Sequence, residues 1–354
     1  MRLLLILTFV ISFGFVVVTA QNSNIINDPK TLPPAKAEKF AQAHSQIKSN
    51  VPFQAKEQLS YELKLFLFPI YGTIGTLTFT VDEETSQLNT SPIDKQDKQP
   101  EINKTVTPEK PENNPNSETT SEATKETTSE VAKEVTKEVT KTNEQQNIIE
   151  KKVENNIWKF TVEAKSKGIL TSIFRKNVSD VFTSYVNKQD FTIAKTIKKI
   201  EEGNKRREMV SDFDQIKQKV KWIDTDLNTK QIVRSKENST LIWVTDIING
   251  WYVMRAQELT VGKTFSFPLN DEGETYEIEV VVLGKEKLDT DDFGKFSTIK
   301  LDMKIFNGKY IRRKGTLHLW VTDDSRHIPL RAQIKSGFGT VTANLIEMKS
   351  VKPL

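Results

Sequence analysis

From Tyr310 to Met348 apolar and polar residues alternate with a period of two, a pattern that suits a half-wetted strand and not a helix. In Gly315–Val321, Leu317, Leu319 and Val321 share one face, while Thr316, His318 and Trp320 share the other. In Pro329–Lys335, Leu330, Ala332 and Ile334 alternate with Arg331, Gln333 and Lys335. In Thr340–Leu345, Val341, Ala343 and Leu345 alternate with Thr340, Thr342 and Asn344. Successive strand side chains point to opposite faces, so each run buries one face and wets the other. Two tight connections join the runs. Thr322–His327 holds short polar residues that bond their own backbone. Lys335–Gly339 holds two glycines, which permit a positive φ or a bulge.

The same period recurs upstream. Glu57–Phe68 and Thr73–Val81 read as a hairpin around Pro69–Gly72. Asn156–Ser166 alternates cleanly and is expected to pair with the second strand of that hairpin. Asp180–Asn187, Thr192–Glu201, Lys205–Asp214, Val220–Asp224, Gln231–Arg234, Gly262–Pro268, Thr275–Lys285 and Phe296–Ile305 read as further strands. Val280–Leu283 lacks alternation, which predicts burial on both faces. Gly168–Arg175 reads as a helical turn. About a dozen strands at this spacing predict a mainly β fold, a large antiparallel, strongly curved sheet or barrel.

One stretch has another period. Ile242, Thr245, Ile248, Trp251, Tyr252 and Arg255 recur near helical spacing, which predicts a helix over Thr245–Ala256 capped by Thr245 or Asp246. It is expected to be the one covering helix, with at least one of Trp251 and Tyr252 packed on the closing strands.

Not all 354 residues are available for this domain. Met1-Arg2 precedes the apolar run Leu3–Ala20, which ends in Val18-Thr19-Ala20. That is the pattern of a cleavable secretory signal over 1–20, an uncleaved anchor being the alternative at this length. Gln21–Val51 reads as a polar leader, with the fold beginning near Pro52. The residues after Met348, 349–354, read as a tail. Glu83–Lys152 is rich in Thr, Glu, Lys, Asn and Pro and has no aromatic residue. Such a segment buries too little apolar surface to offset its ordering entropy, so it reads as a disordered insert in a single domain over 52–348. Long hairpin loops cost little extra closure entropy.

Composition excludes several functions. The 51 basic and 47 acidic residues nearly balance, which gives no reason to expect nucleic acid, a partner that calls for a concentrated basic face. The chain has no cysteine, which removes thiol catalysis, thiolate metal sites and lipidation at a processed cysteine.

Thr245–Arg255 resembles the Asp-x-x-Ser-x-x-Tyr-x-x-Arg helix of an exported bacterial family, domain of unknown function 3108. Trp320–Arg331 is similar to that family's Trp-x-Ser-Asp-Asp-x-x-Arg-x-Pro-x-Arg hairpin, and Phe338–Leu345 to its closing strand. Leu59–Leu63 and Tyr71–Gly75 resemble its first hairpin. Thr322 stands where Ser is usual. The resemblance implies an exported chain in the periplasm or cell envelope. No catalytic residues are established for the family, so none is carried over.

The motif residues Asp246, Trp251, Tyr252, Arg255, Trp320, Asp323, Asp324 and Arg331 are the structural or binding candidates. Asp323-Asp324 with Arg326 and Arg331 reads as a charge network that fixes a hairpin rather than as an acid pair. His318 and His327 lack a third ligand at sensible spacing. No catalytic, cofactor or metal residue is assigned. The expectation is a non-catalytic binding or assembly module. Its partner would be an apolar small molecule or lipid, or an envelope protein, and after signal cleavage no transmembrane span remains. The alternative is a hydrolase or transferase acting on cell-wall or lipid substrates.

Overall fold

The structure is a computed structural model and describes residues 26, 32–86, 155–172, 177–304, 315–336 and 339–354. The described residues belong to one compact unit. The expected signal segment and almost all of the insert lie outside them.

Fourteen strands form one antiparallel sheet. They are β1 (Gln58–Leu67), β2 (Ile70–Ser86), β3 (Asn155–Ser166), β4 (Ser179–Asn187), β5 (Ile193–Glu202), β6 (Lys205–Asp214) and β7 (Lys219–Asp226). The series continues with β8 (Gln231–Ser239), β9 (Thr264–Asp271), β10 (Glu274–Thr290), β11 (Gly294–Met303), β12 (Gly315–Thr322), β13 (Pro329–Ser336) and β14 (Gly339–Lys349). Each strand pairs with its sequence neighbours except at one place. β1 pairs with both β2 and β14, so the first and last strands lie side by side in mid-sheet. The two edges are β8 and β9, which follow each other in the chain. The sheet is therefore a curled meander that stops short of closing between them.

Side chains bridge that gap. The β9–β10 turn is acidic, and it meets cations on β5 and β8. Lys198 pairs with Asp271, Arg234 lies 3.7 Å from Glu272, and Lys236 lies 2.5 Å from Glu274. The Asn238 amide donates to the Gly273 carbonyl at 2.9 Å. Polar side chains at both edges replace a backbone ladder, which also blunts the edges against pairing with another chain.

Strand register pairs the two strands that flank the insert, as expected: β2 and β3 form a hairpin that runs from Gly75↔Ser166 out to Ser86↔Asn155. The hairpin runs further than the alternation predicts. Glu83 and Glu84 belong to β2 and pair with Lys188 and Lys159 at 2.9 and 2.6 Å.

Three readings change. The segment read as a polar leader carries helix α1 (Pro34–Ser49), which buries Phe40, Ala43, His44 and Ile47. Their spacing of three and four residues is a helical face, diluted in the sequence by Ala, Gln and Lys on the other side. The His44 ring packs 5.8 Å from Trp243, and its Nε2 lies 2.6 Å from the Asp190 carbonyl. Second, the β10 run Val280–Leu283 is not buried on both faces. Val280 and Val282 are buried and Leu283 is exposed, because ordinary alternation holds up to a bulge between Val282 and Gly284. Third, the expected helix is shorter. Regular helix α3 spans Asn249–Arg255. The helical turn read over Gly168–Arg175 is present as α2 (Ile169–Ser172), with residues 173–176 outside the described set.

Asp246 explains the start of α3. Its Oδ1 accepts the backbone N–H groups of Ile248 and Asn249 at 2.9 and 2.7 Å, satisfying donors that a helix N-terminus leaves orphaned. Its Oδ2 accepts the Thr196 hydroxyl at 2.7 Å, which ties the same carboxylate to β5. Helix α3 lies in the connection between the two sheet edges and covers the concave face. The core beneath it includes Leu63, Leu77, Phe160, Val162 and Leu319. Among the described residues, no helix is long and apolar enough to cross a membrane.

Candidate apolar binding site

Two alanines make a hollow. Ala332 on β13 and Ala343 on β14 are direct cross-strand partners, and Ala332 also faces Leu319 while Ala343 faces Leu63. Side chains opposite each other in an antiparallel pair share one face. Two methyl-sized side chains in a row of leucines leave the floor low at that point. Leu59 and Tyr61 of β1, Leu77 and Phe79 of β2 and Pro329 form the sides. Trp251, Tyr252 and Arg255 of α3 form the roof. The empty space is about 430 Å³ including the open mouth, and about 20 Å³ of it admits the centre of a water molecule. That is room for the end of an aliphatic chain in a cleft, not a vault for a whole lipid.

The two neighbouring aromatics of α3 have different environments. Tyr252 is buried and stacks on Phe160, with centroids 4.2 Å apart and an interplanar angle of 22°. Phe53 meets it edge-on at 4.9 Å. Trp251 is half-buried and meets Phe79 edge-on at 5.9 Å across the hollow.

The polar groups at the wall are committed to structure. Arg255 grips Glu57 with two nitrogens, Nη1 to Oε1 at 2.5 Å and Nη2 to Oε2 at 3.2 Å. Its Nη2 also donates to the Pro52 carbonyl and its Nε to the Arg326 carbonyl, each at 3.0 Å. One guanidinium thus joins α3 to the chain before β1 and to the β12–β13 turn, in the planar fork geometry that suits arginine. Burial pushes its pKa down, but the Glu57 charge and hydrogen bonds outweigh this and leave it raised. The Tyr61 hydroxyl donates to the Pro329 carbonyl at 2.9 Å. Burial pushes both the Tyr61 and Tyr252 phenols up, with the Arg255 charge opposing, so both stay neutral. His327 holds its Nδ1 2.7 Å from the Arg255 carbonyl, and burial lowers its pKa.

The other motif residues stand apart from the hollow. Asp324 Oδ1 accepts the Thr322 hydroxyl at 3.0 Å and the Arg326 backbone N–H at 2.9 Å, and Oδ2 accepts Arg326 Nη2 at 2.7 Å. This holds the β12–β13 turn. Asp323 pairs with Lys285 at 2.8 Å. Trp320 lies on the opposite face of β12 from Leu319. Its indole N–H donates to Glu286, and Lys300 sits 4.8 Å above its ring. Arg331 donates to Asn344 at 2.7 Å and to the Asp289 carbonyl at 3.3 Å. The structure therefore gathers Trp251, Tyr252 and Arg255 at the hollow, with Asp246 fixing the helix that carries them. Trp320, Asp323 and Arg331 each contact the β10–β11 hairpin separately, and Asp324 holds the β12–β13 turn.

Glu57, Ala332 and Ala343 escape the motif reading. The alanine pair has a sequence signal, small residues at matching face positions on consecutive strands. Glu57 has none, since its partner lies 198 residues away. Among the described residues, no cluster of three or more His, Asp or Glu side chains is placed to hold a metal ion.

The family model described as "Protein of unknown function (DUF3108)" matches residues 133–346, a span that includes α3, the β12–β13 turn and most of the closing strand. The β1–β2 hairpin lies outside that span. No curated protein matches the chain. Among solved structures, the "Crystal Structure of Beta-barrel-like Protein of Domain of Unknown Function DUF1849 from Brucella abortus" aligns at a TM-score of 0.44 and 8% identity. That alignment covers 85% of this chain and 100% of the other. With the family model spanning more than half of its length, this chain belongs to the DUF3108 family.

Proposed function

We propose that this chain is an exported envelope protein that holds an apolar molecule in the hollow under α3, without performing chemistry on it. An acyl chain end or an apolar partner segment has the matching shape. The observation that carries the reading is the lining: eight apolar or aromatic side chains and Pro329 around one guanidinium. Ligand sites are mostly apolar and concave with few polar groups. Here the guanidinium and the carboxylate it touches neutralise each other, each with its side chain about 1% exposed. The apolar run Leu3–Ala20 supports export.

Native mass spectrometry of protein purified from its host envelope tests the reading. A retained apolar molecule is expected on the wild type. Ala343→Phe fills the floor from a position that lines the hollow, so the variant is expected to fold and lose the molecule. A wild type that carries no apolar molecule and binds no fluorescent fatty acid sinks the proposal. An unchanged ligand content in a folded Ala343→Phe variant places the ligand elsewhere and also sinks it.

A further inference from the structure

The tip of the β1–β2 hairpin exposes three aromatic rings together. Phe66 is 60%, Phe68 87% and Tyr71 75% exposed. Such large apolar side chains contribute nothing to the core and cost solubility, and a contiguous exposed group of them marks a contact surface. Register shows how the group is mounted. Phe66 is the cross-strand partner of Tyr71 on one side and of Thr340 on the other, and Thr340 is in turn the partner of Lys335. Lys335, Thr340, Phe66 and Tyr71 thus form one row across four strands, on one face of the sheet.

A second lysine flanks the tip on its other side. The Lys167 N–H donates to the Ile74 carbonyl at 3.0 Å, and the following Gly168 approaches Thr73 so closely that a Cβ there would lie 2.4 Å from its carbonyl oxygen. Lys167 and Lys335 are both exposed, and neither has a carboxylate partner among the described residues. Another nearby cation, Lys64, is balanced by Glu62 and Asp291 at 3.4 Å each. Among the described residues, the tip is therefore an aromatic wedge with one unneutralised lysine to either side.

We propose that this hairpin tip docks on the surface of a bilayer containing anionic lipid. Charge and shape favour this occupant. Aromatic rings sit at the headgroup level of a membrane, and flanking lysines reach the phosphates with their ammonium groups while their stems lie along apolar surface. A protein groove would have to bury three aromatics and find carboxylates for two lysines on either side of them. A bilayer offers anions on every side of an inserted wedge. The docking stands apart from the hollow, whose lining shares no residue with the tip.

The chain has no cysteine, so one introduced thiol can be labelled uniquely. The full chain carrying Tyr71→Cys and a nitrobenzoxadiazole fluorophore is mixed with vesicles of phosphatidylcholine, with or without phosphatidylglycerol. The control label sits at Ile216→Cys, which is 96% exposed in the β6–β7 turn at the other end of the strands. A blue-shifted, brighter emission is expected from position 71 and not from position 216, and only with the anionic vesicles. Adding Lys167→Gln and Lys335→Gln is expected to weaken the response roughly 25-fold in vesicle concentration, about fivefold per lysine near an anionic surface. Because the label reports the tip itself, attachment through Leu3–Ala20 does not mimic the result. A silent tip on both vesicles overturns the proposal and assigns the aromatics to a protein partner. Equal responses at 71 and 216, or a response unchanged by the lysine substitutions, also overturn it. Ala343→Phe keeps the tip response if docking is independent of the hollow, and a loss there would overturn that independence.

Discussion

Arg255 on α3 and Glu57 before β1 form an ion pair whose side chains are each about 1% exposed, with Nη1 2.5 Å from Oε1. Two charges withdrawn from water this completely are stable only because each satisfies the other and Arg255 also donates to two carbonyls. Glu57→Ala leaves a buried guanidinium without its counter-charge, and the expected loss is ~3–5 kcal/mol of unfolding free energy. Replacing both residues with apolar side chains of similar volume, Glu57→Leu with Arg255→Met, should cost less than the single change. Chemical denaturation of the single and double variants measures this. A double variant worse than the single one would show that the carbonyl contacts, rather than the pair, hold α3.

Trp251 and Tyr252 are adjacent in sequence but unequal in burial, which separates core from site. Tyr252→Ala removes a buried ring that stacks on Phe160, and the expected cost is ~3–5 kcal/mol. Trp251→Ala enlarges an existing hollow, so a smaller cost of about 1–2 kcal/mol is expected, together with loss of any retained apolar molecule. Denaturation and ligand content are measured on the same samples. Equal destabilisation by the two changes would place Trp251 in the core and leave the hollow without a roof.

Much of this architecture is legible in single residues. Leu317, Leu319 and Val321 announce β12 because a strand with one wet face has a strict period. The same logic finds β3, β13 and β14. It fails at α1, where Phe40, Ala43 and Ile47 stand among Ala, Gln and Lys and the face shows only once β9 and α3 are packed against it. It fails again at Val280–Leu283, because a bulge after Val282 cannot be read from four apolar residues in a row. The motif residues at the site were visible, but their grouping was not. Arg255 and Asp324 look alike in a sequence as charged residues near turns. Which one borders the hollow is decided by β1, contributed from almost 200 residues earlier.

The β2–β3 loop gives a test of how the core tolerates the inserted segment. The last ladder pair is Ser86↔Asn155, and Glu83 and Glu84 are tied to Lys188 and Lys159. Replacing residues 87–154 by a short Gly/Ser loop should change the unfolding free energy by no more than about 1 kcal/mol, since closure entropy varies slowly with length. A cut that begins at Glu83 removes the last four ladder pairs and two ion pairs and should cost more. Thermal or urea denaturation of both deletions tests the boundary. A cooperative loss of strand signal in the 87–154 replacement would mean that the removed segment packs on the sheet.

Asp180 supplies the pH dependence. Burial pushes its carboxyl up to about 7, against the hydrogen bond that its Oδ1 accepts from the Glu201 N–H, and neighbouring Glu202 adds to the rise while Lys205 opposes it. A carboxyl raised in the folded state binds its proton more tightly there than in the unfolded chain. Between the unfolded value near 4 and the folded value near 7, the folded state therefore holds the extra proton, and stability falls as pH rises through this window. Asp180→Asn removes that proton uptake while preserving a side-chain oxygen for Glu201. The histidines act in the opposite direction, since burial lowers the pKa values of His44 and His327, but they are common to both proteins and cancel in the difference. The variant is expected to gain stability relative to the wild type by a few kcal/mol between pH 5 and pH 8, on the order of 1.4 kcal/mol for each unit of pKa difference. Urea denaturation of both proteins at the two pH values measures the gap. A gap that stays constant across the window would show that Asp180 does not titrate there.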